Sequence, residues 1–239
     1  MQETIRSRIE DVQRRLESAA QRCGRDPREI TLIAVSKTYP ASDVDAASGC
    51  GVTDFGENKV QELLKKQDQT EKDLRWHFIG HLQTNKAKNV VGRVCLIHSV
   101  DSMHLAEEID RRAAAARIVQ EVLLQVNAAG EETKFGLAEE DVLPLAESIA
   151  ADFKNIKIRG LMQIPPYEED ADKVRVWFRK LFALREELLR RGLKDADILS
   201  MGMSHDFETA IEEGATHVRV GTAIFGERDY TKQTINKEV

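Results

Sequence analysis

The sequence predicts an α/β fold, a (β/α)8 TIM barrel with an extra N-terminal helix. Three observations predict it. Eight short apolar runs alternate with helical stretches along the chain, and repeated strand–helix units imply a parallel sheet covered by helices. The chain has 239 residues, a length that eight such units fill as a closed barrel. No Gly/Ser linker, long charge block or low-complexity tract divides it. One domain over 1–239 is therefore expected, with the helix at about 2–24 and the barrel at about 30–230. An open doubly wound sheet is the fold alternative.

The elements follow in order. Ile5, Ile9, Val12 and Leu16 recur at helical spacing, and Gly24 with Pro27 ends that helix. Thr31–Lys37 is short, apolar and β-branched, the pattern of a buried parallel strand. Further strands are expected at Val52–Phe55, Trp76–Ile79, Val94–Ser99, Val122–Val126, Ile156–Met162, Ile198–Met201 and His217–Val220. Helical stretches are expected after Pro40, Glu57, Thr84 and Asp101, and near Asp141–Ala151, Asp172–Arg191 and Asp206–Glu213. The sixth connecting helix is the clearest, because Val174, Trp177, Phe178, Leu181, Leu184 and Leu188 form one apolar stripe.

Composition narrows the function. With 35 Lys+Arg against 41 Asp+Glu, the net charge of -6 argues against a nucleic-acid binder that relies on a broad basic field. Cys23, Cys50 and Cys95 have neither metal-finger nor redox spacing, so reduced thiols are expected. The N-terminal stretch has no apolar signal core, and no apolar run is long enough to span a bilayer. A soluble cytoplasmic protein without membrane contact is expected.

In such barrels the active face lies at the C-terminal ends of the strands. Lys37 ends the first strand, where partial desolvation would lower its pKa and make it a nucleophile suited to Schiff-base chemistry. The ordinary alternative is a lysine that snorkels to solvent. The loops after strands seven and eight are where these barrels build anion sites. Gly202 and Ser204 stand in the first, Gly221 and Thr222 in the second, each read as opening a helix whose N–H groups could meet a phosphate. Ser204 as a plain helix cap is the alternative. Arg219, two residues before Gly221, is either an ordinary ion-pairing arginine or an inward donor facing a bound ring. His77, His98, His104 and His217 read as structural, whereas His81 and His205 lie in active-face loops. Lys86 and Lys134 read as solvated rim lysines.

The ordered motifs then carry a resemblance. They are AVSKT at 34–38, FGENKVQE at 55–62, WHFIGHLQTNK at 76–86, KFG at 134–136, RGLMQIPP at 159–166, SMGMSHDFETAI at 200–211 and VRVGTAIFG at 218–226. Over nearly the whole chain, to about Tyr230, the sequence resembles the pyridoxal phosphate homeostasis protein family, single-domain barrels similar to the cofactor-binding barrel of alanine racemase. The resemblance implies pyridoxal phosphate (PLP) held as a Schiff base on Lys37. It implies phosphate contacts from Ser204, Gly221 and Thr222, and Arg219 against the pyridine nitrogen. Asn58, Met203 and Met162 are implied as pocket-lining positions. His81 and Thr84 depart from the expected proline and serine, and Gln163 from the common alanine, all at the rim.

A racemase needs acid–base groups on both faces of the substrate Cα. In alanine racemase the second group is a tyrosine from another domain of the partner subunit, and Tyr39, Tyr167 and Tyr230 offer no evident substitute. The expected function is a carrier or buffer in intracellular PLP and amino-acid homeostasis, without robust catalysis. The expected state is a monomer with PLP-dependent apo-enzymes as candidate partners. A weak PLP-dependent amino-acid racemase is the first alternative and a Schiff-base aldolase on a phosphosugar the second. A pure interaction module is permitted by the charged helix faces, but nothing selects it.

Overall fold

The computed structural model describes residues 2–70, 73–128, 130, 135–168 and 170–227. Eight parallel strands close in sequence order: β1 Thr31–Val35, β2 Asp54–Glu57, β3 Arg75–Phe78, β4 Leu96–Val100, β5 Gln120–Val126, β6 Ile156–Gln163, β7 Ile198–Ser200 and β8 His217–Val220. β8 pairs with β1 in register Thr31 to His217 and Ile33 to Arg219, which closes the barrel. The open-sheet alternative is excluded. Helices α1 Gln2–Arg22, α2 Ala41–Ser48, α3 Val60–Gln69, α4 Met103–Ala116, α5 Glu139–Asp152, α6 Ala171–Arg190, α7 Phe207–Glu212 and α8 Thr222–Phe225 cover it. The segment expected to be helical after Thr84 is a 3-10 helix, Thr84–Asn89, too short for an α-helical unit. Lys134 and Tyr230 lie outside the described residues.

Alternation along each strand builds two separate cores. Outward residues such as Ala34, Phe55, Phe78, Ile97, Leu124 and Leu161 pack beneath the helices. Inward residues Leu96, Leu123, Met162 and Ile198 form a smaller apolar cluster inside the barrel. Polar side chains share the described interior: His77, His98, Ser200 and Arg219 are all buried. The extra helix has a structural reason. Among the described residues the segment after β8 forms the four-residue α8, and α1 packs against α7, α8 and α2 and buries Ile5, Ile9, Val12 and Leu16 on that flank. Arg25 fastens the end of α1 by donating to the carbonyls of Ile211 and Ala215, at 2.9 and 2.8 Å.

The turn after β7 depends on glycine. Gly202 has φ +90°, and a Cβ there would lie 2.6 Å from Ala210 Cβ and 3.0 Å from Phe207 Cα. Its carbonyl also accepts the Arg219 N–H at 3.0 Å. Gly202→Ala is expected to cost about 2–4 kcal/mol through backbone strain and overpacking, read as a drop in the urea midpoint at unchanged slope.

Candidate functional site

Chain direction places the C-terminal ends of all eight strands at one mouth. There, Lys37, Asn58, Met203, Ser204, Arg219, Gly221 and Thr222 line one cavity of about 190 Å³ with Val35, Ile79, Ile164 and His205. Met162 is not among them: it lies fully buried in the apolar cluster inside the barrel, because the β6 alternation turns it inward below the mouth. A larger groove of about 660 Å³ runs past Glu147, Lys157, Arg191 and Asp195, and it contains none of the residues singled out from the sequence.

The turn carrying Lys37 is over-determined from below. Ser36 is buried, and its carbonyl accepts both Lys66 Nζ, at 2.6 Å, and the Tyr39 N–H, at 3.0 Å. Lys66 Nζ also reaches Glu57 Oε1 at 2.5 Å, and Ser36 Oγ donates to the same oxygen at 2.6 Å. Thr38 sits at φ +72°, strained for a β-branched residue, and its N–H is held by Glu62 Oε2 at 2.7 Å. Burial, only partly offset by Lys66 and Ser36, pushes the Glu57 carboxyl up from its ordinary value. The sequence reading missed Lys66 and gave no role to Glu57 and Glu62. Lys66 carried a signal, since it follows Val60 and Leu63 at spacing three on the buried face of α3.

The two loops after β7 and β8 meet differently from expectation. Ser204 does not open α7; Asp206 precedes that helix and accepts the Met203 N–H at 2.6 Å. Ser204 Oγ instead accepts the N–H groups of Gly221 and Ala223, at 3.2 and 3.3 Å, and so joins the two loops. Gly221 sits close to β1, where a Cβ would be 3.3 Å from the Val35 carbonyl. Thus Ser204 and the start of α8 form one cluster of donors beside Lys37.

Arg219 is buried. Its Nη1 donates to Ser200 Oγ at 2.7 Å and its Nη2 to the Gln163 carbonyl at 2.8 Å. Burial lowers its pKa to about 10, opposed by Asp206, so it is cationic at neutral pH. The Gln163 side chain turns away and donates to the Trp177 carbonyl at 2.9 Å. His81 does not line the cavity; it stacks on Phe135 at 3.7 Å and lies 3.4 Å from Asp101. Tyr39 donates to the Gly226 carbonyl at 2.6 Å, and Tyr167, 71% exposed, sits 5.0 Å from the His205 ring. Neither tyrosine lines the cavity. Among the described residues no group of His, Cys, Asp and Glu is placed to hold a metal, and no helix is long and apolar enough to cross a membrane.

Residues 8–229 match the family described as alanine racemase, N-terminal domain. A pyridoxal phosphate homeostasis protein of Aquifex aeolicus is 50% identical over 224 residues, covering 93% of this chain and 98% of the relative. The chain belongs to the pyridoxal phosphate homeostasis protein family. A solved family structure, PipY of Synechococcus elongatus with PLP bound, superposes with a TM-score of 0.78 at 37% identity, covering 89% of this chain and 100% of that one. Alanine racemase of Corynebacterium glutamicum shares the fold, with a TM-score of 0.70 at 17% identity, and this chain covers 62% of its length. Within the family frame, the three departures noted in the sequence leave the cavity intact: none of His81, Thr84 and Gln163 lines it.

Proposed function

We propose that this protein holds PLP in the cavity lined by Lys37, that Lys37 is its covalent attachment point, and that the protein acts in PLP homeostasis as a carrier or buffer. The observation that carries the reading is the convergence of three chemistries on one cavity: a primary amine on Lys37, the hydroxyl and N–H donors of Ser204, Gly221 and Thr222, and the Arg219 guanidinium. PLP has one matching handle for each: an aldehyde, a phosphate and a pyridine nitrogen. The residues fit it in further respects. Asn58 Oδ1 is buried with no hydrogen-bond partner, the kind of orphan that a polar ring substituent satisfies. The two N–H bonds to Ser204 Oγ are long, and a phosphate oxygen is the stronger acceptor.

When bound, the cofactor supplies a conjugated ring that draws electrons from bonds to an attached amine. Arg219 can only donate, so it keeps the ring nitrogen unprotonated and that electron sink weak. The ionisable side chains lining the cavity among the described residues are Lys37, His205 and Arg219, which supports holding over turnover. The reading extends to a cytoplasmic monomer that hands PLP to apo-enzymes.

Titration with PLP followed by visible absorption is expected to give a saturating band that is absent in Lys37→Ala. Ser204→Ala is expected to keep the band with affinity lowered about tenfold. Amino-acid α-proton exchange in deuterium oxide, read by proton NMR, should not exceed that of free PLP. Fast exchange abolished by Lys37→Ala would replace the carrier reading with a racemase-type enzyme.

A further inference from the structure

The barrel interior contains one continuous hydrogen-bonded chain that the binding reading does not use. It starts at the cavity with Arg219 Nη1, 2.7 Å from Ser200 Oγ. Ser200 Oγ is 2.9 Å from His98 Nδ1, His98 Nε2 is 3.0 Å from His77 Nδ1, and His77 Nε2 is 2.8 Å from Asp54 Oδ1. Asp54 begins β2, at the end of the barrel opposite the cavity, and also receives Arg75 Nε at 2.9 Å and Thr53 Oγ1 at 2.7 Å. All five members of the chain are buried. Cys95 Sγ, 3.4 Å from His77 Nε2, and His217, with its ring 6.2 Å from that of His77, complete the surroundings.

The ends fix the direction. An arginine has only donors and an ionised carboxylate only acceptors. Asp54 therefore requires a proton on His77 Nε2, which leaves His77 Nδ1 to accept from His98 Nε2. His98 Nδ1 must then accept the Ser200 hydroxyl proton, so the Ser200 lone pairs turn toward Arg219. Starting from Arg219 gives the same assignment, with both histidines neutral. Burial opposes charge on both histidines. Burial would raise the Asp54 carboxyl, but hydrogen bonds from His77, Thr53 and Arg75 outweigh it and hold it well below the ordinary range. The chain orients rather than conducts, because moving a proton along it would take one from Arg219, with a pKa of about 10, to this strongly acidic carboxyl.

We propose that Asp54 is a positioning residue: through His77, His98 and Ser200 it fixes the donor direction that holds the Arg219 guanidinium at the cavity. A buried cation without a carboxylate in direct contact is costly. The aligned dipoles of the chain couple it to a carboxylate across the barrel. The proposal rests on the reading that Arg219 faces the cofactor, and its test separates the two.

Nitrogen-15 NMR of the full-length apo protein at pH 7 should show His77 and His98 as neutral Nε2–H tautomers. That measurement needs neither a variant nor PLP, and a proton on His98 Nδ1 overturns the proposal whatever the protein binds. Asp54→Leu is then expected to disturb the His98 tautomer signal and weaken PLP binding about tenfold. Asp54→Asn, which keeps an acceptor, should stay within about threefold. In a Ser200→Ala background, where the chain is already cut, Asp54→Leu should add less than about twofold. Equal losses in both backgrounds, or an unchanged His98 signal in folded Asp54→Leu, sink the positioning role. No PLP binding by the wild type sinks the functional reading and leaves the tautomer result standing.

Discussion

Replacing Lys66 by methionine is expected to destabilise the fold by about 3–5 kcal/mol, because it leaves the Glu57 carboxylate buried without its cation. Lys66 and Glu57 are both buried, and Lys66 Nζ lies 2.5 Å from Glu57 Oε1 and 2.6 Å from the Ser36 carbonyl. Methionine nearly matches the volume of lysine, so the loss is electrostatic rather than a cavity. Urea unfolding at pH 7 measures it. The double variant Lys66→Met, Glu57→Gln should recover at least half of the loss, since it removes the uncompensated charge. Full recovery is not expected, because the Ser36 carbonyl still loses its Lys66 donor. Ser36 precedes Lys37, so the single variant should also weaken PLP binding. A single variant as stable as wild type would mean that Glu57 is already protonated, so that removing Lys66 leaves no carboxylate unpaired.

That pair marks the boundary of what the sequence reveals. The barrel was legible because most strands lie in short apolar runs and the longer helices carry periodic stripes, patterns set by burial over a few residues. The candidate site was legible where chemistry and chain direction coincide: Lys37 follows β1, and Ser204 and Gly221 follow β7 and β8. Met162 was misplaced because the position that lines the mouth is Ile164, two residues further along the chain, which leaves Met162 in the apolar cluster inside the barrel. Ser204 was expected to open the helix after β7, whereas Asp206 stands at that helix start and Ser204 reaches Gly221 across 17 residues of sequence. The interior chain was not legible at all. Asp54, His77, His98, Ser200 and Arg219 come from five different strands, and only closure of the barrel brings them together.

The same interior is expected to make the protein acid-sensitive. Burial lowers His98 well below its ordinary value and His217 to about 3, His217 being further lowered by His77. The unfolded forms titrate near 6.5, so between about pH 6.5 and the folded pKa the unfolded chain binds protons that the folded chain refuses. Stability therefore falls as pH drops through that window. At pH 5 each histidine that stays neutral costs about 2 kcal/mol relative to pH 7. Asp54 adds a loss in the same direction below about pH 4, where its unfolded form protonates and its folded form does not. Glu57 and Asp206 work against this: burial raises both carboxyls, so the folded form takes up their protons first and acid favours it. A difference measurement isolates the histidines from that offset. Between pH 7 and 5, His217→Gln should lose about 2 kcal/mol less than wild type by urea unfolding, whatever its stability at pH 7. Parallel pH profiles would mean that His217 titrates freely in the fold. A shallower profile, with the histidine NMR signals unchanged down to pH 5, would mean that the chain beneath Arg219 keeps its neutral histidines and its direction as long as the barrel is folded.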